Sequence, residues 1–225
     1  MKFLEKEIKN SPLFGFDKSD NVKSLQLDAF KEFNRYGLPD KSWEDWKYSD
    51  FSLLNNMSFR FGLRKNISIL PNPFPEIKDS NQIVFFNGYY QKDLSSTSDK
   101  ISIETIDQTY KENPELIHKI FSPKTNPFHN INSAMINTGL TIIIHDNEII
   151  NEPIHIINYT SDIDEPIMNH PLFIMKIGVG SEASIVEHYY GSTNREYWVN
   201  TVTKIELQKN SSLNHIRLQE DSNSS

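Results

Sequence analysis

Two stretches near the end of the chain can be laid over one another, KIGVGSEASI at 176–185 and KIELQKNSSL at 204–213. Ile177 falls on Ile205, Val179 on Leu207, Ser184 on Ser212 and Ile185 on Leu213. Further upstream, TIII at 141–144 with its downstream Pro153-Ile154 repeats the unit more loosely. A strand-turn-strand unit recurring at roughly 30 residues constrains the fold more than any other feature. Such a unit cannot bury its own apolar face, so each copy must cover the one before, as in a solenoid. An antiparallel sandwich also offers short alternating strands between turns. Periodicity alone leaves the two level.

Before Gly139 the pattern is different. Val22, Leu25, Ala29, Phe33 and Tyr36 recur at intervals of three and four, which predicts a helix stopped by Gly37 and Pro39. Ser42 and Asp45 then stand three apart, as an N-cap and its reciprocal acid do, predicting a second helix with Trp43 and Trp46 in its first turn. Residues 66–80 carry three prolines in five positions and read as an irregular connection. IVFFNGYY (83–90) reads as a strand entering a tight turn at Asn87-Gly88. ISIETI (101–106) alternates like a half-buried strand, and Pro114 to Phe121 is helical in character. The expectation is a mixed α and β chain: a mainly helical α+β domain over 1–125 and the start of a β core over 126–225.

Twenty-three Lys and Arg against 30 Asp and Glu give a formal charge of −7, which is no footprint for nucleic acid or an anionic membrane. The absence of Cys removes disulfides, thiolate metal sites and a Cys nucleophile, and fits a reducing compartment. MKFLEKEIKNSP interrupts its few apolar residues with Lys and Glu, unlike a signal peptide, and no segment reaches transmembrane length. A cytoplasmic chain is therefore expected.

Gly178 to Ala183 spells GxGxxA, a variant of the dinucleotide fingerprint, but that fingerprint needs a helix to follow the glycines. Ser184 to His188 continues as a strand, so a tight turn is expected there. No GxxxxGK[ST] loop occurs. His145, His155, His188 and His215 all fall in the β region, without the short spacing that sets two imidazoles on one face. No catalytic, cofactor-binding or metal-binding residue is therefore assigned.

Gly37-Leu38-Pro39, then Glu44 to Ser49 reading EDWKYS, then Leu53-Leu54, resembles the N-terminal region of the SufD family. Members of that family are scaffold subunits of the SUF iron–sulfur cluster assembly machinery. IVFFNGYYQKDLS (83–95) is similar to the family's strand-Asn-Gly-strand segment. NPFHNINSAMINTGLTIIIHDNEIINEPIHIINY (126–159) is similar to its core segment, with Phe128, Asn132, Gly139, Pro153 and Ile154 in place. The core segment is shared with the paralogue SufB, whereas the GLP to WKY segment favours SufD.

The resemblance implies that the tryptophans are internal packing of the N-terminal domain. It also implies a helical N-terminal region followed by a right-handed parallel β-helix, and a non-catalytic role with a SufB-like paralogue and a SufC-like ATPase. An iron–sulfur cluster would be assembled transiently by the complex, with none bound by this chain alone. The family's ATPase-docking helix and cluster-interface residues lie C-terminal to the core seen here, so none is carried over. LQEDSNSS ends the chain without a capping rung, as though cut in mid-stack, and self-association is expected of such an end. A β-helix protein acting on polysaccharide is the alternative reading.

Overall fold

The computed structural model describes residues 3–11, 20–70, 76–161, 163–192 and 194–222. In chain order its helices are α1 (Phe3–Glu7), α2 (Asp20–Tyr36), α3 (Ser52–Asn56), α4 (Ile106–Glu112), α5 (Pro114–Phe121) and α6 (Pro127–Met135). Four strands precede residue 125: β1 (Arg60–Phe61), β2 (Asn81–Phe86), β3 (Tyr89–Tyr90) and β4 (Ile101–Thr105). Eight follow: β5 (Thr138–Ile144), β6 (Ile154–Ser161), β7 (Ile167–Asn169), β8 (Pro171–Ile177), β9 (Glu182–Ser192), β10 (Tyr197–Val199), β11 (Val202–Leu207) and β12 (Ser212–Glu220).

The helix read from the 22–36 spacing forms. Val22, Ala29 and Phe33 are buried in α2, and Tyr36 stays exposed. Gly37 closes the helix in the left-handed region (φ +70°), donating its N–H to the Phe33 carbonyl at 2.7 Å. The short helices α5 and α6 both have proline in the first turn and an asparagine cap. Asn113 Oδ1 accepts from the Leu116 N–H at 3.1 Å, and Asn126 Oδ1 accepts from the Phe128 N–H at 2.9 Å.

The helix predicted from Ser42 does not form. Only a single 3-10 turn, Glu44–Trp46, is present, its cap position is Trp43, and no side chain caps it. Ser42 is engaged elsewhere, since its hydroxyl and its N–H both donate to Asp40, at 2.5 and 2.8 Å. A hydroxyl turned back towards Asp40 is not placed to cap the turn ahead of it.

The strands make three sheets, in the orders β1-β7-β10, β11-β8-β5-β4 and β12-β9-β6-β2-β3. From β5 onward every pairing is parallel, and the chain visits the three sheets in one fixed cycle. Parallel pairing decides against the antiparallel sandwich. Among the described strands, β2 with β3, across the Asn87-Gly88 turn, and β4 with β5 pair antiparallel. Asn87 and Gly88 both take positive φ, 48° and 83°, as the hairpin signal requires. Because β2 pairs with β6 and β4 with β5, the sheets run across the line drawn at residue 125.

Between β8 and β11 and between β9 and β12 the step is 30 residues, not the 28 of the sequence overlay: Ile177 stands beside Leu207, and Ala183 beside Leu213. One coil earlier it is 33 between β5 and β8 and 31 between β6 and β9. A slip of two residues returns every side chain to the same face, so apolar alternation cannot distinguish the registers. The turns can. Asn147, Gly180 and Asn210 all lie in the left-handed region, at φ 62°, 66° and 59°. They stack, with the Asn147 N–H on the Val179 carbonyl at 2.8 Å and the Gly180 N–H on the Lys209 carbonyl at 3.0 Å.

Between the two larger sheets lies the main core, built on Leu140, Ile142, Phe173, Met175, Ile154, Ile156 and Ile185. The outer face of the β5-β8 sheet, through Leu172 and Ile174, packs on α4 and α5 through Ile106, Leu116 and Ile117. Gly139 sits where these layers meet. A Cβ there would lie 2.3 Å from the Leu172 carbonyl oxygen and 2.8 Å from Ile106 Cγ1. Gly139→Ala should therefore cost about 1–3 kcal/mol by overpacking, read as a lowered denaturation midpoint. An unchanged midpoint would mean that β5 and β8 separate freely.

Candidate functional site

Alternation along β9 sends Ala183 and Ile185 into the core, and the next inward position is Glu187, which is fully buried. Ile156 stands beside it on β6 and Arg217 on β12. A carboxylate in this position has to be compensated within the fold. Glu187 Oε1 accepts from the Thr203 hydroxyl and pairs with His215 Nε2, both at 2.8 Å. Oε2 accepts from the Tyr189 hydroxyl at 2.8 Å and Arg217 Nη2 at 2.9 Å. Burial by itself pushes the Glu187 carboxyl up, but Arg217, the Tyr189 and Thr203 hydroxyls and His215 together hold it below its ordinary value. Tyr189, buried beside this carboxylate, is pushed well above the ordinary tyrosine value.

Four partners use the lone pairs available to the carboxylate. The group is held ionised and fully engaged, so it can fix β9, β11 and β12 against one another but has no free lone pair for proton abstraction. Beside it a cavity of about 210 Å³ is lined by Tyr189, Tyr197, Thr201, Arg217 and Asp221. Tyr197 donates to Asp221 Oδ1 at 2.8 Å, and burial, with Asp221 adding to it, pushes its phenol up to about 12.

The four histidines singled out by sequence do not converge on a metal. His145 Nε2 lies 2.8 Å from the Ser102 hydroxyl. His155 Nε2 lies 3.1 Å from His188 Nδ1, and His188 Nε2 lies 2.7 Å from Glu220. His215 serves Glu187. Among the described residues no three His, Asp or Glu side chains are grouped to hold an ion. The glycines of GxGxxA turn between β8 and β9, strand to strand, as expected. Sequence reading missed Glu187, although a signal existed: in SIVEHYY an acid occupies a place in the alternation otherwise held by Ala183 and Ile185.

The aromatic segment at 43–51 frames a second feature. Trp46 packs on Phe51 and on Phe128 of α6, with ring centroids 5.4 and 5.1 Å apart, and Phe51 and Phe128 are 4.9 Å apart. Trp46 is half-buried, and its contact with α6 ties this segment to the chain beyond residue 125. Tyr48 is 92% exposed and Leu53 is 72% exposed. An apolar groove of about 710 Å³ runs between this segment and Trp198.

A family model described as the SufBD protein N-terminal region matches residues 13–156. The chain belongs to the SufBD family. The match takes in the GLP to WKYS segment, the Asn87-Gly88 turn and all but the last three residues of the 126–159 segment. A SufBD relative from Synechocystis, an "iron–sulfur cluster assembly SufBD family protein", is 28% identical over 205 residues. That alignment covers 84% of this chain and 45% of the relative. The Escherichia coli "iron–sulfur cluster assembly protein SufD" is 22% identical over 194 residues, covering 82% of this chain and 43% of that protein. The chain thus spans about half the length of these two SufBD relatives.

Proposed function

We propose that this chain is a non-catalytic scaffold subunit for iron–sulfur cluster assembly, on the SufD side of the SufBD family. The observation that carries the reading is the family match over residues 13–156, with two relatives whose names state iron–sulfur cluster assembly. The lean towards SufD rests on the GLP to WKYS segment and the SufD relative. The three-sheet parallel coil is the start of a right-handed parallel β-helix in this reading, since parallel crossovers are right-handed in nearly all proteins. A cytoplasmic location, a SufB-like paralogue and a SufC-like ATPase as partners belong to the same proposal. No helix among the described residues is long and apolar enough to cross a membrane.

The scaffold role accords with a buried carboxylate whose lone pairs are all engaged, and with a chain that contains no cysteine to hold a cluster. Two measurements test it. Deleting the gene should lower the activity of iron–sulfur enzymes in cell extracts while their polypeptide levels stay constant; unchanged activities would overturn the proposal. Anaerobic reconstitution of the isolated chain with iron and sulfide should leave no stoichiometric cluster after gel filtration. A cluster that survives would overturn the assignment of cluster holding to the complex.

A further inference from the structure

The groove beside the aromatic segment is apolar on its floor and acidic on its rim. Phe51, Leu54, Met57, Phe128 and Trp198 line it, and Leu53 stands at its edge with most of its side chain in water. Among the described residues Asp50 and Glu196 are the charged ones that border it, and no Lys, Arg or His lines it. Both acids are exposed. Asp50 accepts the Ser52 N–H at 2.9 Å, and Glu196 has no side-chain partner among the described residues.

A groove of this size takes two or three large apolar side chains. Anchors three and four residues apart on one helical face suit such a groove, and the acids call for a cation beside them. From the apolar floor and acidic rim together, we propose that this groove docks an amphipathic helix of a partner protein, presenting leucine-like anchors flanked by Lys or Arg. The docking surface does not depend on the cluster-assembly reading, since it is argued from shape and charge alone.

The probe is a dye-labelled peptide of about 14 residues, close to four helical turns, made of leucine and lysine in amphipathic order. Its leucine–glutamate counterpart serves as the comparison, and binding is read by anisotropy. The leucine–lysine peptide should bind at least about tenfold more tightly than the leucine–glutamate peptide. Leu53→Asp should weaken it about tenfold by removing an edge anchor. Glu196→Lys should narrow the preference between the two peptides, and the charge-matched Glu112→Lys, placed on α4, should leave it unchanged.

Both Leu53 and Glu196 are exposed, so the variants should fold, and Glu196→Lys decides alone should Leu53→Asp fail to fold. Equal binding of the two peptides would overturn the proposal, because the acidic rim would then be without effect. Equal responses to Glu196→Lys and Glu112→Lys would overturn it as well, reducing the attraction to net charge. A concentration-dependent dimer of the chain abolished by Leu53→Asp would assign the groove to a second copy instead.

Discussion

Lowering the pH from 6.5 towards 3 is expected to remove about 4–5 kcal/mol of stability through His170 alone. The ring is fully buried, set edge-on to Trp198 with centroids 4.9 Å apart and to Phe61 at 6.4 Å. Its Nδ1 faces the Asn200 amide at 3.3 Å, and its Nε2 has no partner among the described residues. Burial drops its pKa from 6.5 to about 3. Once unfolded the same imidazole takes its proton near 6.5, so between the two values the unfolded state binds the extra proton. Stability then falls by about 1.4 kcal/mol for each unit of acidification in that window. His155, lowered to about 4 by burial and by the neighbouring His188, adds in the same direction.

Since small domains hold on the order of 5–15 kcal/mol in total, unfolding in mild acid is the visible outcome. Denaturant titrations between pH 6.5 and 4.5, above most carboxylate titrations, isolate the histidines. His170→Phe should flatten the slope by about 1.4 kcal/mol per pH unit. An unchanged slope would mean that the ring is already protonated in the fold.

Arg217→Met is expected to cost about 2–3 kcal/mol at pH 7. Removing one partner of a buried pair generally costs more, but the Arg217 side chain is 42% exposed, and water screens part of its charge. The pH dependence identifies the cause. With Arg217 present the Glu187 carboxyl lies below its ordinary 4.5, so its contribution is complete above that value and is lost as the pH falls through the folded pKa. Without Arg217 the leading opposition to burial is gone, so the folded pKa rises and the variant regains stability as acid neutralises the carboxylate. The gap between the two proteins should therefore shrink from pH 7 to pH 5. A constant gap would mean that the loss is one of packing.

Much of the fold was legible where a single short-range rule acts alone. Val22, Ala29 and Phe33 bury the face that their spacing marked, and Asn87-Gly88 turns the chain where two positive-φ residues were needed. The Ser42 helix failed because Asp40, two residues upstream, competes for the same hydroxyl. The repeat was recognised in the wrong register because apolar alternation is blind to a two-residue slip. Gly180 and Asn210, turn residues that stand 30 positions apart, carried the missing information. Of the candidate site, the histidines were visible and their partners were not. His215 meets Glu187 from 28 positions away, a proximity that the sheet register creates.

The two sides of the strand stack are not equivalent. On one side the larger sheets finish in antiparallel strands, β4 and the two-residue β3, which offer little to a newcomer. On the other, β10, β11 and β12 are each bonded along one edge only among the described residues. At the β3 and β4 side the parallel coil is therefore broken off by reversed strands, so its repeating path runs one way only, from β5 towards β12.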